Sequence, residues 1–318
     1  MSIFQTKKIQ SFIVFIIVLA TILWIFQDNI LRMSVLDGTN DNENLNQVEY
    51  ENSSYFEKID NFFIREYSDN QQILHLISAD TYYSYKNSPV RLLKVEVKTF
   101  DKKQQEGVTL NANLAEINKD GEIFFNGKVL IETINDAIHE VSTESLMYLS
   151  NDGQLLSNND VVYTGESSII NSQGMSMNVN SDKLLLSGDV HIEYESGSLL
   201  DSSNLLINHT NDEKVYQSSE MTIYQSTDNE ITADSGFIMN MNNNLTSLLG
   251  NVKIIGKKGT SLYSSNLIVD QSNGSEVYKT NEPTRYNSPE SSISSNKMYY
   301  DTGSEKIKLI GNVVAIYE

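Results

Sequence analysis

The 318 residues carry 42 acids against 23 bases and no cysteine, for a formal charge of −19. A chain this acidic has no basic patch for phosphate counterion release, which argues against nucleic acid as a partner, and the missing thiols exclude disulfide frameworks and thiolate metal sites. The length allows a sizeable core, and 3 prolines against 17 tyrosines favour strands joined by polar turns.

Residues 1–8 are short and basic at Lys7 and Lys8. Ile9 to Phe26 then runs for 18 residues without a charge, close to the roughly 20 needed to cross a bilayer core as a helix. Trp24-Ile25-Phe26 places large residues where signal-peptide cleavage needs small ones, so the reading is an uncleaved anchor over residues 9–31. The basic-residue bias keeps the N-terminus cytoplasmic and exports the rest. A buried core helix would explain neither the terminal position nor the aromatic end. Residues 32–54 form an acidic tether: Asp37 to Ser54 holds five acids and no base, with little to bury. Beyond residue 35 the chain has 20 bases and 41 acids, about −21 for the exported part.

The pattern apolar-x-Gly-x-Val-x-apolar then appears four times, around Gly127, Gly188, Gly250 and Gly311, at spacings of 61, 62 and 61. Thirteen residues before each glycine stand Leu114, Met175, Phe237 and Met298. Midway fall Leu146-Met147-Tyr148, Leu205-Leu206-Ile207 and Leu267-Ile268-Val269, each preceded by Thr143, Ser202 or Ser264. The underlying step is about 30 residues, a unit too small to bury its own apolar face but able to form one core by stacking. A glycine at one fixed place in each layer predicts a bend or a close approach there.

Alternation is the period of a half-buried strand. It places on the inward face Phe125, Val129 and Ile131; Leu186, Val190 and Ile192; Val252 and Ile254; Leu146 and Tyr148; Leu205 and Ile207; Val161 and Tyr163; and Leu114, Met175, Met177, Phe237 and Met239. Turn-forming pairs such as Asp120-Gly121 and Thr302-Gly303 recur between them. At two strands per step, about 16 strands in two sheets would give a groove on the order of 40 Å. Such sheets leave edge strands, here Phe62 to Tyr67, with Phe62, Phe63 and Ile64, and Lys308 to Tyr317, with Leu309, Gly311 and Val313.

Motifs for chemistry fail in context. Asp301-Thr302-Gly303-Ser304 matches an aspartic-protease signature, but such an enzyme needs two carboxylates sharing a proton, from a second copy or a dimer, in a quite different barrel context, and the repeat aligns Asp301 with Asn240 and Asn178 as a turn opener. Gly256-Lys257-Lys258-Gly259-Thr260 lacks the order of a phosphate loop and reads as a hairpin turn. Gly174-Met175-Ser176-Met177-Asn178 has Asn where a nucleophile elbow needs its second glycine, leaving Ser176 an outward strand residue. His75, His139, His191 and His209 are too scattered for zinc and read as surface strand positions. No catalytic residue, metal or cofactor is expected. Met175, Met177, Met239 and Met241 suit either ordinary core packing or a groove that fits irregular chains.

Asp60-Asn61-Phe62-Phe63-Ile64, Leu76-Ile77-Ser78-Ala79-Asp80-Thr81-Tyr82-Tyr83 and the recurring Leu-x-Gly-x-Val, behind an anchor and tether, resemble the LptC family of lipopolysaccharide export over residues 5–195. Residues 196–318 are similar to its soluble LptA/OstA-like relatives. The resemblance implies an all-β fold, an elongated twisted β-jellyroll of two facing antiparallel sheets, divided into an LptC-like part over 55–195 and an LptA/OstA-like extension over 196–318. It implies lipopolysaccharide acyl chains against the inward residues named above. It also implies partners at the edge strands: the permeases of an inner-membrane ABC transporter, and an LptA-like bridge protein or outer-membrane translocon. A typical LptC stops near the second glycine repeat. The alternative is a membrane-tethered β-solenoid scaffold or adhesin with a closed core and no lipid.

Overall fold

The computed structural model describes residues 55–67, 71–100, 106–133, 139–149, 154–165, 167–178, 183–210, 213–256, 259–272 and 275–317. The cytoplasmic segment, the anchor over 9–31 and the tether over 32–54 lie outside the described residues.

Among the described residues the regular elements are 26 strands. Six long ones come first: β1 (Glu57–Tyr67), β2 (Ile73–Ser84), β3 (Val90–Phe100), β4 (Glu106–Ile117), β5 (Ile123–Thr133) and β6 (His139–Leu149). Four short ones follow, β7 (Gln154–Ser157), β8 (Val161–Thr164), β9 (Ser168–Ser172) and β10 (Gly174–Asn178), then two long ones, β11 (Lys183–Tyr194) and β12 (Leu199–Thr210). The rest are short: β13 (Glu213–Ser218), β14 (Thr222–Gln225), β15 (Asn229–Ala233), β16 (Phe237–Asn240), β17 (Leu245–Leu248), β18 (Val252–Gly256) and β19 (Ser261–Ser264). The last seven are β20 (Leu267–Asp270), β21 (Val277–Thr280), β22 (Thr284–Ser288), β23 (Ser291–Ser295), β24 (Lys297–Asp301), β25 (Lys306–Ile310) and β26 (Val314–Tyr317).

Antiparallel pairing joins β1 to β6 in chain order, and at β6 the sheet forks. Met147–Leu149 pair with β7, and Glu140–Thr143 pair with β8. The first layer continues β7, β10, β11, β12, β13, β16, β17, β20, β21, β24, β25. The second continues β8, β9, β11, β12, β14, β15, β18, β19, β22, β23, β26. The layers share β11 and β12, and beyond them the chain changes layer after every second strand. All crossovers fall on one edge, which is closed, and all hairpin turns fall on the other, where two rims face each other. β11 and β12 pair on either side of the 195/196 boundary, from Lys183 with Asn208 to Glu193 with Leu199, so the ladders run through it unbroken.

The ladders are deeper than the sequence period suggests. Eight long strands pass through both layers and nine short ones belong to each, so each layer spans about 80 Å at roughly 4.8 Å per strand, not 40 Å. A 30-residue step contains four strands of four or five residues, as β14 to β17 illustrate, where two were expected.

The four repeated glycines occupy the closed edge. Gly127, Gly188, Gly250 and Gly311 have φ of 76°, 78°, 80° and 75°, a region in which glycine alone pays no steric penalty. In β5 and β11 the motif strand carries one residue more than its partner, a bulge between Asn126 and Val129 and between Leu186 and Asp189. The bulge bends the strand from one layer into the other. In the short-strand region the same motif is the crossover itself. Side-chain amides satisfy the exposed backbone donors: Gly188 N donates to Asn204 Oδ1 at 3.2 Å and Gly250 N to Asn266 Oδ1 at 3.1 Å. Hydroxyls pair beneath, Thr143 with Ser157 at 2.9 Å and Ser264 with Thr280 at 3.0 Å, both pairs buried, and Ser202 with Thr222 at 3.1 Å, part-buried. This is why Thr143, Ser202 and Ser264 recur.

Two positions depart from expectation. A bulge between Asn111 and Leu114 shifts the phase of β4, so that Ala112 and Ala115 take the inward places and Leu114 does not. Lys308 to Tyr317 is not one edge strand: Gly311 and Asn312, with φ of 75° and 45°, carry the chain across the closed edge. Leu309 therefore ends the first layer in β25, Val313 lies in the crossover, and β26 ends the second layer.

Candidate functional site: an apolar interior beneath two polar rims

One buried cluster runs from Phe62 in β1 to Met298 in β24, so the inward faces of successive layers form a single apolar interior. Of the nineteen inward residues expected, sixteen are buried. Ile131 and Met177 are partly buried against the cluster, and Leu114 points elsewhere. The walls meet: Tyr148, Ile192, Leu205 and Phe237 are at 0% exposure. The interior of the described residues is thus filled by its own side chains rather than held open as a slot. Such packing follows because exposing apolar walls to water is unfavourable and protein interiors pack densely.

The rims are polar and aromatic, a feature the alternation pattern does not reveal. Tyr163 of the second layer reaches Tyr216 of the first at 3.3 Å between hydroxyls, and Tyr163 also meets His139 Nδ1 at 2.9 Å. Tyr194 Oη donates to Met239 Sδ at 3.6 Å across the same gap. Further on, Tyr224 of the second layer donates to Glu276 Oε1 on the first. Tyr278 Oη donates to Glu276 Oε2 at 2.6 Å, and Gln271 Nε2 donates to Tyr224 Oη at 3.0 Å. Ser226 and Asn229 of the second layer reach Tyr278 Oη at 3.2 and 3.4 Å. Glu276 is therefore a clamp joining the rims. Burial, and then the Glu276 carboxylate, pushes both phenols well above their ordinary range, so they stay protonated donors. Burial also raises Tyr194 well above its usual value.

The hairpin that presents Gln271 and Glu276 is itself fastened by Asp270. Its carboxylate takes the Lys279 ammonium, the Ser272 hydroxyl at 2.6 Å and the Ser272 amide at 3.0 Å. These partners, Lys279 first, hold its pKa at about 2. A depressed carboxylate contributes stability above its unfolded value of about 4, and that contribution is lost as pH falls through about 2. Asp270→Asn is expected to cost about 1 kcal/mol at pH 7, the exposed Lys279 end being screened, and to flatten the acid limb in urea titrations between pH 4 and 2. Tyr148 behaves oppositely. Its Oη is buried without a hydrogen-bond partner, so Tyr148→Phe should raise stability by about 1 kcal/mol, readable as a higher urea midpoint at unchanged slope.

Other expected positions are accounted for locally. Asp301 Oδ1 accepts from Ser304 N at 3.2 Å and closes its own turn. Gly256 N donates to Thr260 O at 3.0 Å in the β18–β19 hairpin. His191 is bound to Asp201 at 2.6 Å on the outer face, whereas His139 belongs to the rim through Tyr163. Among the edge residues, Phe62 turns inward and stacks on Tyr82 with centroids 4.9 Å apart. Ile64 is partly buried on the core, and Phe63 and Val313 are 59% and 52% exposed.

These features define an extended two-layer β-jellyroll with a continuous apolar interior and, among the described residues, ladders whose terminal strands are paired on one side only. The chain belongs to the LptC-related lipopolysaccharide-assembly family, whose model matches residues 14–195 and 206–318. Both matched segments answer to that one description, so the extension is LptC-related as well. No curated relative matches the chain.

Proposed function

We propose that this protein carries lipopolysaccharide by its acyl chains between the two layers, receiving it from the permeases of an inner-membrane ABC transporter. It passes the lipid towards an LptA-like bridge protein or the outer-membrane translocon. Residues 9–31 hold it in the inner membrane with the N-terminus cytoplasmic and the bulk periplasmic. The observation that carries this reading is the unbroken apolar cluster from Phe62 to Met298. Exchanging wall-to-wall contact for wall-to-chain contact keeps apolar area out of water, at about 0.8 kcal/mol per acyl methylene buried. Tails therefore part the layers at modest cost, while the −21 exterior keeps phosphorylated head groups outside. The LptA/OstA-like role of residues 196–318 is to lengthen the conduit.

Depletion of the protein in cells tests this: lipopolysaccharide is expected to accumulate at the inner membrane, and an unchanged distribution would contradict it. The unchanged distribution would instead favour a tethered scaffold or adhesin, a reading supported by the full burial of Tyr148, Ile192 and Phe237.

The ladder ends fit partners by strand addition. Among the described residues β1 pairs only with β2, β25 only with β24 and β26 only with β23. Val314 and Ile316 are 58% and 62% exposed, and open edges recruit strands. Deleting residues 306–318 should abolish co-purification of the next bridge component, and undiminished association would refute the docking role.

A further inference from the structure

The rungs of the ladder cross from one layer to the other at the closed edge. A rung is either one bent strand, such as β6, β11 and β12 of 11, 12 and 12 residues, or two short strands joined at that edge, as over 168–178 and 277–288. β25 and β26 form the last rung, 306–317, and among the described residues no rung covers its far side. The repeat shows what a further rung would bury. Val190 and Val252, each followed by more rungs, are 2% exposed, whereas Val313 at the same repeat position is 52% exposed. The two halves of this uncovered rung differ in chemistry. On β25 the outward residues include Lys306 and Lys308, opposite Asp301 and Tyr299 of β24. Lys297 and Lys279 share that face, with Lys279 Nζ 5.9 Å from the centre of the Tyr299 ring. On β26 the outward residues are Val314 and Ile316, opposite Ser294 and Ser292 of β23. The tip also departs from the charge of the chain: residues 253–318 hold 8 bases and 7 acids, against 15 and 35 over residues 1–252.

We propose that this end recognises one kind of protein segment: a single run of chain that adds a whole rung, with outward carboxylates beside β25 and outward apolar side chains beside β26. The inference rests on the ladder end being a docking edge. Directly opposed residues on one face of a strand pair are about 5 Å apart, so opposite charges there stabilise the pairing and like charges oppose it. A strand beside β25 meets Lys306 and Lys308 in turn. Beside β26 the same rule favours β-branched or aromatic residues against Val314 and Ile316. A lipid surface is a poor occupant, because the free N–H and C=O groups of both strands need hydrogen-bond partners that hydrocarbon lacks. A second copy of this chain also fits less well. Its free strand β1 has a bend at Asn61, with φ of 54°, but beside Asp60 it carries the cation Lys58. The lysines of the tip further orient the approach, since an acidic edge is repelled by the body of the chain and drawn to this end.

The test uses the full chain in growing cells, with a photoreactive phenylalanine analogue at Ile310 of β25 in one strain and at Ile316 of β26 in another, both outward and exposed. Adducts from both positions are expected in one partner protein, at sites within about 12 residues of each other, the span of one rung. The mapped segment should carry carboxylates in the half that faces β25. The Lys306→Glu/Lys308→Glu variant should lower the adduct yield at least about tenfold, and Lys306→Arg/Lys308→Arg should preserve it. Adducts in two distant segments or in two proteins would overturn the single rung, and undiminished yield in the charge-reversed variant would overturn the acidic partner. Adducts to β1 of another copy would overturn it in favour of head-to-tail association of this chain, and adducts to lipid alone in favour of a membrane surface. Adducts at neither position would overturn both this assignment and the strand-addition reading on which it rests.

Discussion

Gly236→Ala is expected to destabilise the protein by about 3–5 kcal/mol, against about 1–2 kcal/mol for Gly197→Ala. The two glycines have nearly the same backbone conformation, φ of 88° and 82°, so the strain of a side chain at positive φ is common to both. Their surroundings differ. A Cβ at Gly236 would stand 2.0 Å from Ser218 O, 2.7 Å from Ser218 C and 2.8 Å from Ser219 Cα, whereas at Gly197 nothing lies within 4 Å. The atoms in the way at Gly236 are backbone of the β13–β14 crossover, which cannot swing aside as a flexible side chain would. Relief would require prising that crossover from the one between β15 and β16 on the closed edge. Urea midpoints of the two variants at unchanged slope measure the difference, and equal losses would mean that the crossovers are not packed as described.

Glu276→Ala is expected to cost about 3–5 kcal/mol, an effect disproportionate for a rim residue. Tyr224 and Tyr278 are 1% and 0% exposed, and both donate to this one carboxylate. Hydrogen bonds to a charged acceptor contribute about 1.5–3 kcal/mol each, and removing the acceptor strands the Tyr224 hydroxyl and leaves the Tyr278 hydroxyl with Ser226 Oγ at 3.2 Å in place of a carboxylate. Glu276→Gln retains an acceptor oxygen and should lose about half as much. In a double-mutant cycle with Tyr224→Phe the losses should be strongly non-additive, because the partner is already gone. Additive losses would show that the residues do not act as a clamp. The same substitution should ease separation of the rims, so a loss of stability accompanied by faster lipid uptake would distinguish a clamp from a merely structural contact.

The parts of this architecture that sequence discloses are those set by local period. The glycines at 127, 188, 250 and 311 recur because each repeat of 61 or 62 residues places one such positive-φ corner on the closed edge, and the inward face follows from strict alternation within short strands. Features that depend on which strand meets which are hidden. The 30-residue step conceals that each unit is spent on two strands in each layer, so the length of the ladders is legible only once the crossovers are placed. Leu114 fails because the register shifts between Asn111 and Leu114, where β5 carries the extra residue, and the inward places of β4 pass from Leu110 and Ala112 to Ala115 and Ile117. Gly311 and Asn312 break the last segment for the same reason that Gly250 breaks its equivalent, a clue available in the repeat itself. The clamp joins residues 52 apart in sequence and in opposite layers, and no local pattern links them. A usable signal exists in hindsight: Tyr163, Tyr216, Tyr224 and Tyr278 all occupy inward positions next to polar turns, where a phenol can bury its ring and find a partner for its hydroxyl.

The central claim is that acyl chains travel between the layers, and site-specific photo-crosslinking in growing cells tests it most directly. A photoreactive phenylalanine analogue is placed at Met177, inward and partly buried, and in a second strain at Leu185, outward and 38% exposed. Lipopolysaccharide adducts are expected at Met177 and not at Leu185. Adducts at neither position in a strain that still grows, or equal adducts at both, would contradict the account.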